Sequence, residues 1–138
     1  MNDLYHLQRF LDAQQGTFDA ACAELRAGRK RTHWMWFIFP QIGGLGSSAM
    51  AQQYAIASLE EAKAYLAHPV LGKRLRECSR IVAGLEGRSV EEIFGHPDDL
   101  KFRSSMTLFA QASPGEVFDA CLQKYFGGQP DNATLERL

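Results

Sequence analysis

The sequence predicts an all-α fold: a single compact domain of about eight or nine short helices, packed irregularly and steeply rather than as a four-helix bundle. Apolar residues recur at steps of three and four along most of the chain. Capping residues stand just ahead of those stripes, and several glycines stand just behind them. No stretch alternates with period two between turn signals, so a sheet has little support. With no internal repeat and no long linker, residues 1–138 read as one domain.

The elements follow in order. Leu4, Leu7, Phe10 and Leu11 form the stripe of a first helix, capped by Asn2 or Asp3 and ended by Gly16. Thr17 caps a second, with Phe18, Ala21, Cys22 and Leu25 on its buried face and Gly28 past its end. Residues 29–47 are irregular, and Ser47 or Ser48 opens a third helix through Met50 and Tyr54. Ser58 and Glu61 make a capping box for a helix carrying Leu59, Ala62, Tyr65 and Leu66. Pro69 suits the first position of the longest helix, where its missing N–H is not needed. Leu71, Leu75, Cys78, Val82 and Leu85 line that helix, while Lys73, Arg76 and Arg80 cover its wet side. Further capping boxes are expected at Ser89/Glu92 and at Ser113/Glu116. The second leads into the stripe Val117, Phe118, Cys121, Leu122, Tyr125 and Phe126, with Gly127 as the stop. Asp131 caps a short terminal helix containing Leu135 and Leu138.

Composition narrows the function. Of 138 residues, 46% are hydrophobic and 22% charged, which is enough apolar surface to offset the ordering entropy of a folded chain. Fifteen Lys+Arg against 16 Asp+Glu argue against a general polyanion binder. Cys22, Cys78 and Cys121 are far apart, form no C-x-x-C and fall on apolar stripes, so they read as buried free thiols with no metal site. The N-terminus has no apolar core of a secretory signal, and the longest apolar run, Trp34–Phe39, is far too short to span a bilayer. A reduced, cytosolic protein with no cofactor is the expectation.

The stretch 29–48 departs from the helical pattern. It combines the bases Arg29, Lys30 and Arg31, the aromatics Trp34, Trp36, Phe37 and Phe39, and a Gly-rich turn before a helix start. Backbone amides at Gly44, Gly46, Ser47 and Ser48 suit a phosphate or carboxylate. Gly44-x-Gly46-x-x-Ala49 satisfies a loose dinucleotide fingerprint, but no βαβ unit surrounds it, and no P-loop lysine follows the glycines. Trp34 or Trp36 could stack on a ring, Gln41 could orient it, and His33 is the candidate acid/base. The same aromatics would equally serve as core, each burying about 150–250 Å². Stacking of nucleic acid on them is set aside for want of charge and motif.

Residues 98–107 form a second polar stretch, helical from Pro97 or Asp98. Lys101, Ser104, Ser105 and Leu108 share a face, with Thr107 at its edge. Hydroxyls inside a helix either bond back to the backbone or make the face polar for a reason. A polar wall facing residues 33–48 is the functional version, with Lys101 as an electrostatic stabiliser.

The blocks HWMWFIFPQ (33–41), GLGSS (44–48), HPVLG (68–72), IFG (93–95) and SSMTLF (104–109) resemble one bacterial family, domain of unknown function 1810. The resemblance covers nearly the whole chain and implies a multihelical fold without a mechanism or catalytic residues. A "calpastatin" label attached to the family implies a disordered, repetitive inhibitor. This aromatic-rich, well-capped chain is not of that kind. Two functional expectations stand: a pocket between 33–48 and 98–107 for an anionic or nucleotide-like small molecule, or an interaction module that docks a partner or a second copy through the 34–39 run.

Overall fold

The computed structural model describes residues 3–138. They form ten helices, six of them seven residues or longer: α1 (Gln8–Gln14), α2 (Phe18–Arg26), α3 (Met35–Ile38), α4 (Ala49–Gln53), α5 (Leu59–Ala67), α6 (Leu71–Gly84), α7 (Val90–Phe94), α8 (Asp98–Ala112), α9 (Val117–Phe126) and α10 (Asn132–Leu135). No strand is present among the described residues. A lone parallel bridge joins Ile42 to Ile56, where the Gly43 amide donates to the Ile56 carbonyl and the Ile56 amide to that of Gln41. The helix beyond those expected is α3, inside residues 29–47, which the apolar pattern leaves irregular.

Helix α8 is the axis, packed against α5, α7, α9 and α10. At 15 residues it is longer than α6, which has 14. Every residue from Ser104 to Ala110 is buried, so α8 has no continuous wet face. Two of its hydroxyls bond back to the helix. The Thr107 hydroxyl donates to the Arg103 carbonyl at 2.8 Å, and the Ser104 hydroxyl lies 3.1 Å from that of Leu100. Phe102 stacks on Phe94 at 4.6 Å between centroids and meets Phe39 edge-on at 5.1 Å. Phe10, Tyr65, Phe109 and Phe118 continue this aromatic spine on the other side.

Most caps form where the residue types place them. Asp3 accepts from the amides of Leu7 and Gln8, Ser48 from Ala51, and Asp131 from Thr134. Asn2, the other candidate cap of α1, lies outside the described residues. The Ser89/Glu92 box is complete. Five expectations are corrected. Leu4 is exposed rather than part of a buried stripe. Thr17 makes no side-chain cap bond. The Ser113/Glu116 box does not form, because Ser113 ends α8 with its amide on the Phe109 carbonyl and α9 starts only after Glu116; the Glu116 carboxylate takes the Ser113 hydroxyl and a bidentate bond from Arg76 at 2.7 and 3.1 Å. Pro69 stays in a turn ahead of α6, whose first amides are capped by His68 Nδ1, accepting from Val70 and Leu71. At Ser58 only half of the box survives: Ser58 caps the Glu61 amide, but the Glu61 carboxylate accepts from Ala57 and Arg9.

Glu24 of α2 holds the entrance to the aromatic run. It accepts from the amides of Arg31 and Thr32, the Thr32 hydroxyl and the Trp34 indole N–H. Burial opposes its charge, but these four donors outweigh burial and hold the carboxyl at about 2, below its ordinary 4.5. Its contribution to stability is therefore full above pH 4.5 and is lost as pH falls towards 2. In urea titrations across that window, Glu24→Gln is expected to show a shallower loss of stability than the parent. Equal slopes would sink the assignment.

Candidate functional site

A cleft of about 470 Å³ opens where three distant segments meet: α3 with the glycine loop and α4, the first half of α8, and the start of α10. The isolated bridge at Ile42 and Ile56 pins the loop, and Gly44, at φ 95°, turns it. Arg137 holds the Gly44 carbonyl from the C-terminal side at 3.3 Å. Gly46 has to be small, since a Cβ there would stand 2.9 Å from that of Ala51.

The cleft is floored by apolar side chains and carries polar groups at its edges. Trp36 is half-buried, and the Lys101 ammonium stands 5.6 Å from its ring centroid. Lys101 also pairs with Asp98 at 3.2 Å, while Lys30 pairs with the other oxygen of Asp98 at 2.9 Å. Two cations thus share one carboxylate beside the cleft. Opposite them, Asp131 Oδ2 accepts from the Thr134 amide and lies within hydrogen-bond reach of the Thr134 and Ser104 hydroxyls, and its own amide donates to Thr107 Oγ1. The hydroxyl face of α8 therefore seats α10. Gln41, Ser47 and Ser48 complete the rim, and the exposed loop amides of Leu45 to Ser48 have no protein acceptor among the described residues.

Of the candidates read from the sequence, Trp36, Gln41, Gly46, Ser47, Ser48, Lys101 and Ser104 come together here. Gly44 lines a narrow crevice behind the cleft with Ile42 and Tyr54. Three candidates lie elsewhere. Trp34 is 0% exposed and spends its N–H on Glu24 at 3.0 Å, so it is core. Ser105 is fully buried, with no partner for its hydroxyl. His33 is exposed on the loop before α3 and does not line the cleft, which leaves the acid/base assignment without a site. The docking expectation for residues 34–39 loses its surface as well, because Trp34, Met35, Phe37, Ile38 and Phe39 are all buried and only Trp36 reaches the outside. Ala51, Pro97, Asp131 and Ala133 line the cleft from outside the two expected stretches. Asp131 carried a cap signal only, and nothing local marks its approach to α8.

Among the described residues no group of three or more His, Cys, Asp or Glu side chains could hold a metal ion, and no helix is long and apolar enough to cross a membrane.

Fold and site together define an all-helical domain with a cleft one wall of which is aromatic and cationic. The chain belongs to the family described as "Protein of unknown function (DUF1810)", whose model matches residues 4–138. It is similar to the conserved hypothetical protein Rv1873 from Mycobacterium tuberculosis, solved at 1.38 Å, with 56% identity over 99% of this chain and 98% of that one, and a TM-score of 0.97. No curated protein matches the chain.

Proposed function

We propose that the cleft binds a small planar anion with nucleotide-like chemistry. The carrying observation is that the half-buried Trp36 ring and the Lys101 ammonium, from distant parts of the chain, share one wall. A ring lying against the indole would bring an attached phosphate or carboxylate within reach of Lys101. The loop amides of Leu45 to Ser48 supply further donors, since Ser48 already satisfies the Ala51 amide and leaves those ahead of it free. Asp131 Oδ1 has no protein donor among the described residues and suits a ligand hydroxyl. We ascribe binding to the cleft and no reaction.

Adenosine monophosphate, guanosine monophosphate and neutral adenosine are the test ligands. Titration of the monophosphates is expected to change tryptophan fluorescence through Trp36, because Trp34 is sealed in the core. Trp36→Ala and Lys101→Ala are each expected to weaken binding about tenfold or more, the scale of one lost stacking or charge contact. Adenosine is expected to bind more weakly than its monophosphate. Absence of binding at millimolar ligand, or unchanged affinity in both variants, would rule the reading out.

A further inference from the structure

Cys22 and Cys78 are separated by 56 residues, yet their sulfurs lie 3.9 Å apart across the α2–α6 contact. Both side chains are buried, at 3% and 1% exposure, and both cysteines are free. The two helices run side by side in register here: Phe18 and Arg74, one turn earlier on each helix, also face each other, at 4.8 Å. One turn from the sulfurs, a cleft of about 310 Å³ opens on this seam, lined by Phe18, Arg74 and Glu77. On the surface side Arg26 and Glu77 approach within 3.8 Å. Cys121, the third thiol, is engaged elsewhere and donates to the Ser79 carbonyl at 3.4 Å.

We propose that Cys22 and Cys78 are a reversible dithiol–disulfide pair, oxidised by hydrogen peroxide that reaches them along this seam. The two sulfurs have unequal roles. The sulfur–sulfur contact with Cys78 draws the Cys22 thiol below its ordinary range, against the effect of burial. The same contact, followed by burial, pushes Cys78 up. Cys22 is also the less buried of the two, at 3% against 1% exposure, and is the first sulfur that the peroxide meets. Its thiolate takes the distal oxygen of the peroxide, the O–O bond breaks, and water leaves after protonation, with Cys22 oxidised to the sulfenic acid. Cys78 sulfur then attacks the Cys22 sulfur, expelling a second water and closing the disulfide. Two thiols and one peroxide become one disulfide and two waters, a two-electron exchange that an external dithiol reverses. Closing the bond takes the sulfurs from 3.9 Å to about 2 Å. The crosslink ties α2, which carries Glu24, to α6.

The test is intact mass and peptide mapping of the reduced protein after brief treatment with stoichiometric hydrogen peroxide. The expected result is loss of two hydrogens per chain, one peptide pair linking Cys22 to Cys78, and restoration by dithiothreitol. Cys121→Ser is expected to crosslink as the parent does, whereas Cys22→Ser and Cys78→Ser do not. The oxidised parent is expected to melt higher by roughly 5 °C or more, since the closed loop is long. The proposal is overturned by three titratable thiols after treatment, by a linkage through Cys121, or by crosslinks only between chains. Mapping on the parent decides it even where a variant fails to fold.

Discussion

Glu61→Ala is expected to lower the unfolding free energy by about 3–5 kcal/mol, the scale seen when one partner of a buried ion pair is removed. Glu61 is 3% exposed and meets the Arg9 guanidinium at 2.9 Å, while its other oxygen accepts from the Ala57 amide at 3.0 Å. Arg9 in turn donates to the carbonyls of Tyr5, Gln53 and Ala55, tying α1 to the α4–α5 junction. Without the carboxylate, a guanidinium with little access to water keeps its backbone acceptors but loses its counter-charge. Arg9→Ala leaves the reverse orphan, a buried carboxylate. Urea titration of both single variants and the double variant gives the coupling. The double variant is expected to cost clearly less than the two single losses added together. Simple additivity would show that the two groups do not act as a pair.

Gly72→Ala is expected to cost about 3 kcal/mol or more, at the severe end of overpacking. A Cβ at Gly72 would stand 2.0 Å from the Leu66 carbonyl oxygen and 2.8 Å from its carbon, both backbone atoms that cannot swing aside. The same carbonyl accepts from Arg76 at 3.1 Å, so displacing it also disturbs the Arg76–Glu116 pair. Gly84, at the far end of the same helix, is the control. No atom lies within 4 Å of a Cβ there and its φ is not left-handed. Gly84→Ala is therefore expected to raise stability by about 0.5 kcal/mol through reduced freedom of the unfolded chain. Urea midpoints for the two variants should move in opposite directions. A Gly72→Ala protein as stable as the parent would refute the close approach of α5 and α6.

Much of this fold is legible without coordinates, because its signals are short-range. Ser48, Ser58, Ser89 and Asp131 cap the amide three residues on, a contact that primary structure specifies almost completely. Glu116 shows where such reading fails. Its spacing from Ser113 satisfies the capping rule, yet the Ser113 amide is spent on ending α8, and the Glu116 carboxylate goes to the Ser113 hydroxyl and to Arg76, 40 residues away. Glu61 is drawn off by Arg9 in the same way.

The candidate cleft divides along the same line. Residues 33–48 and 98–107 are marked in the sequence by departures from helical patterning, and the segments do converge. Which side chains face the cleft is another matter. Trp34, the N-cap of α3, reaches Glu24 and the core, while Trp36, inside the first turn of α3, reaches the cleft. Reading this stretch as irregular hid that geometry. The hydroxyls of α8 likewise divide between the cleft, the seat of α10 and the core, with Ser104, Thr107 and Ser105 as the respective cases.

By itself, then, the sequence determined that the chain is helical, where most helices begin and end, and which two stretches depart from the pattern. Those properties arise from interactions within one or two helical turns. Only the tertiary structure decided that Trp34 is core while Trp36 is surface, that Asp131 closes the cleft, and that Cys22 meets Cys78. Each of these depends on a partner tens of residues away. No periodicity records such a partner, because packing in three dimensions places it there.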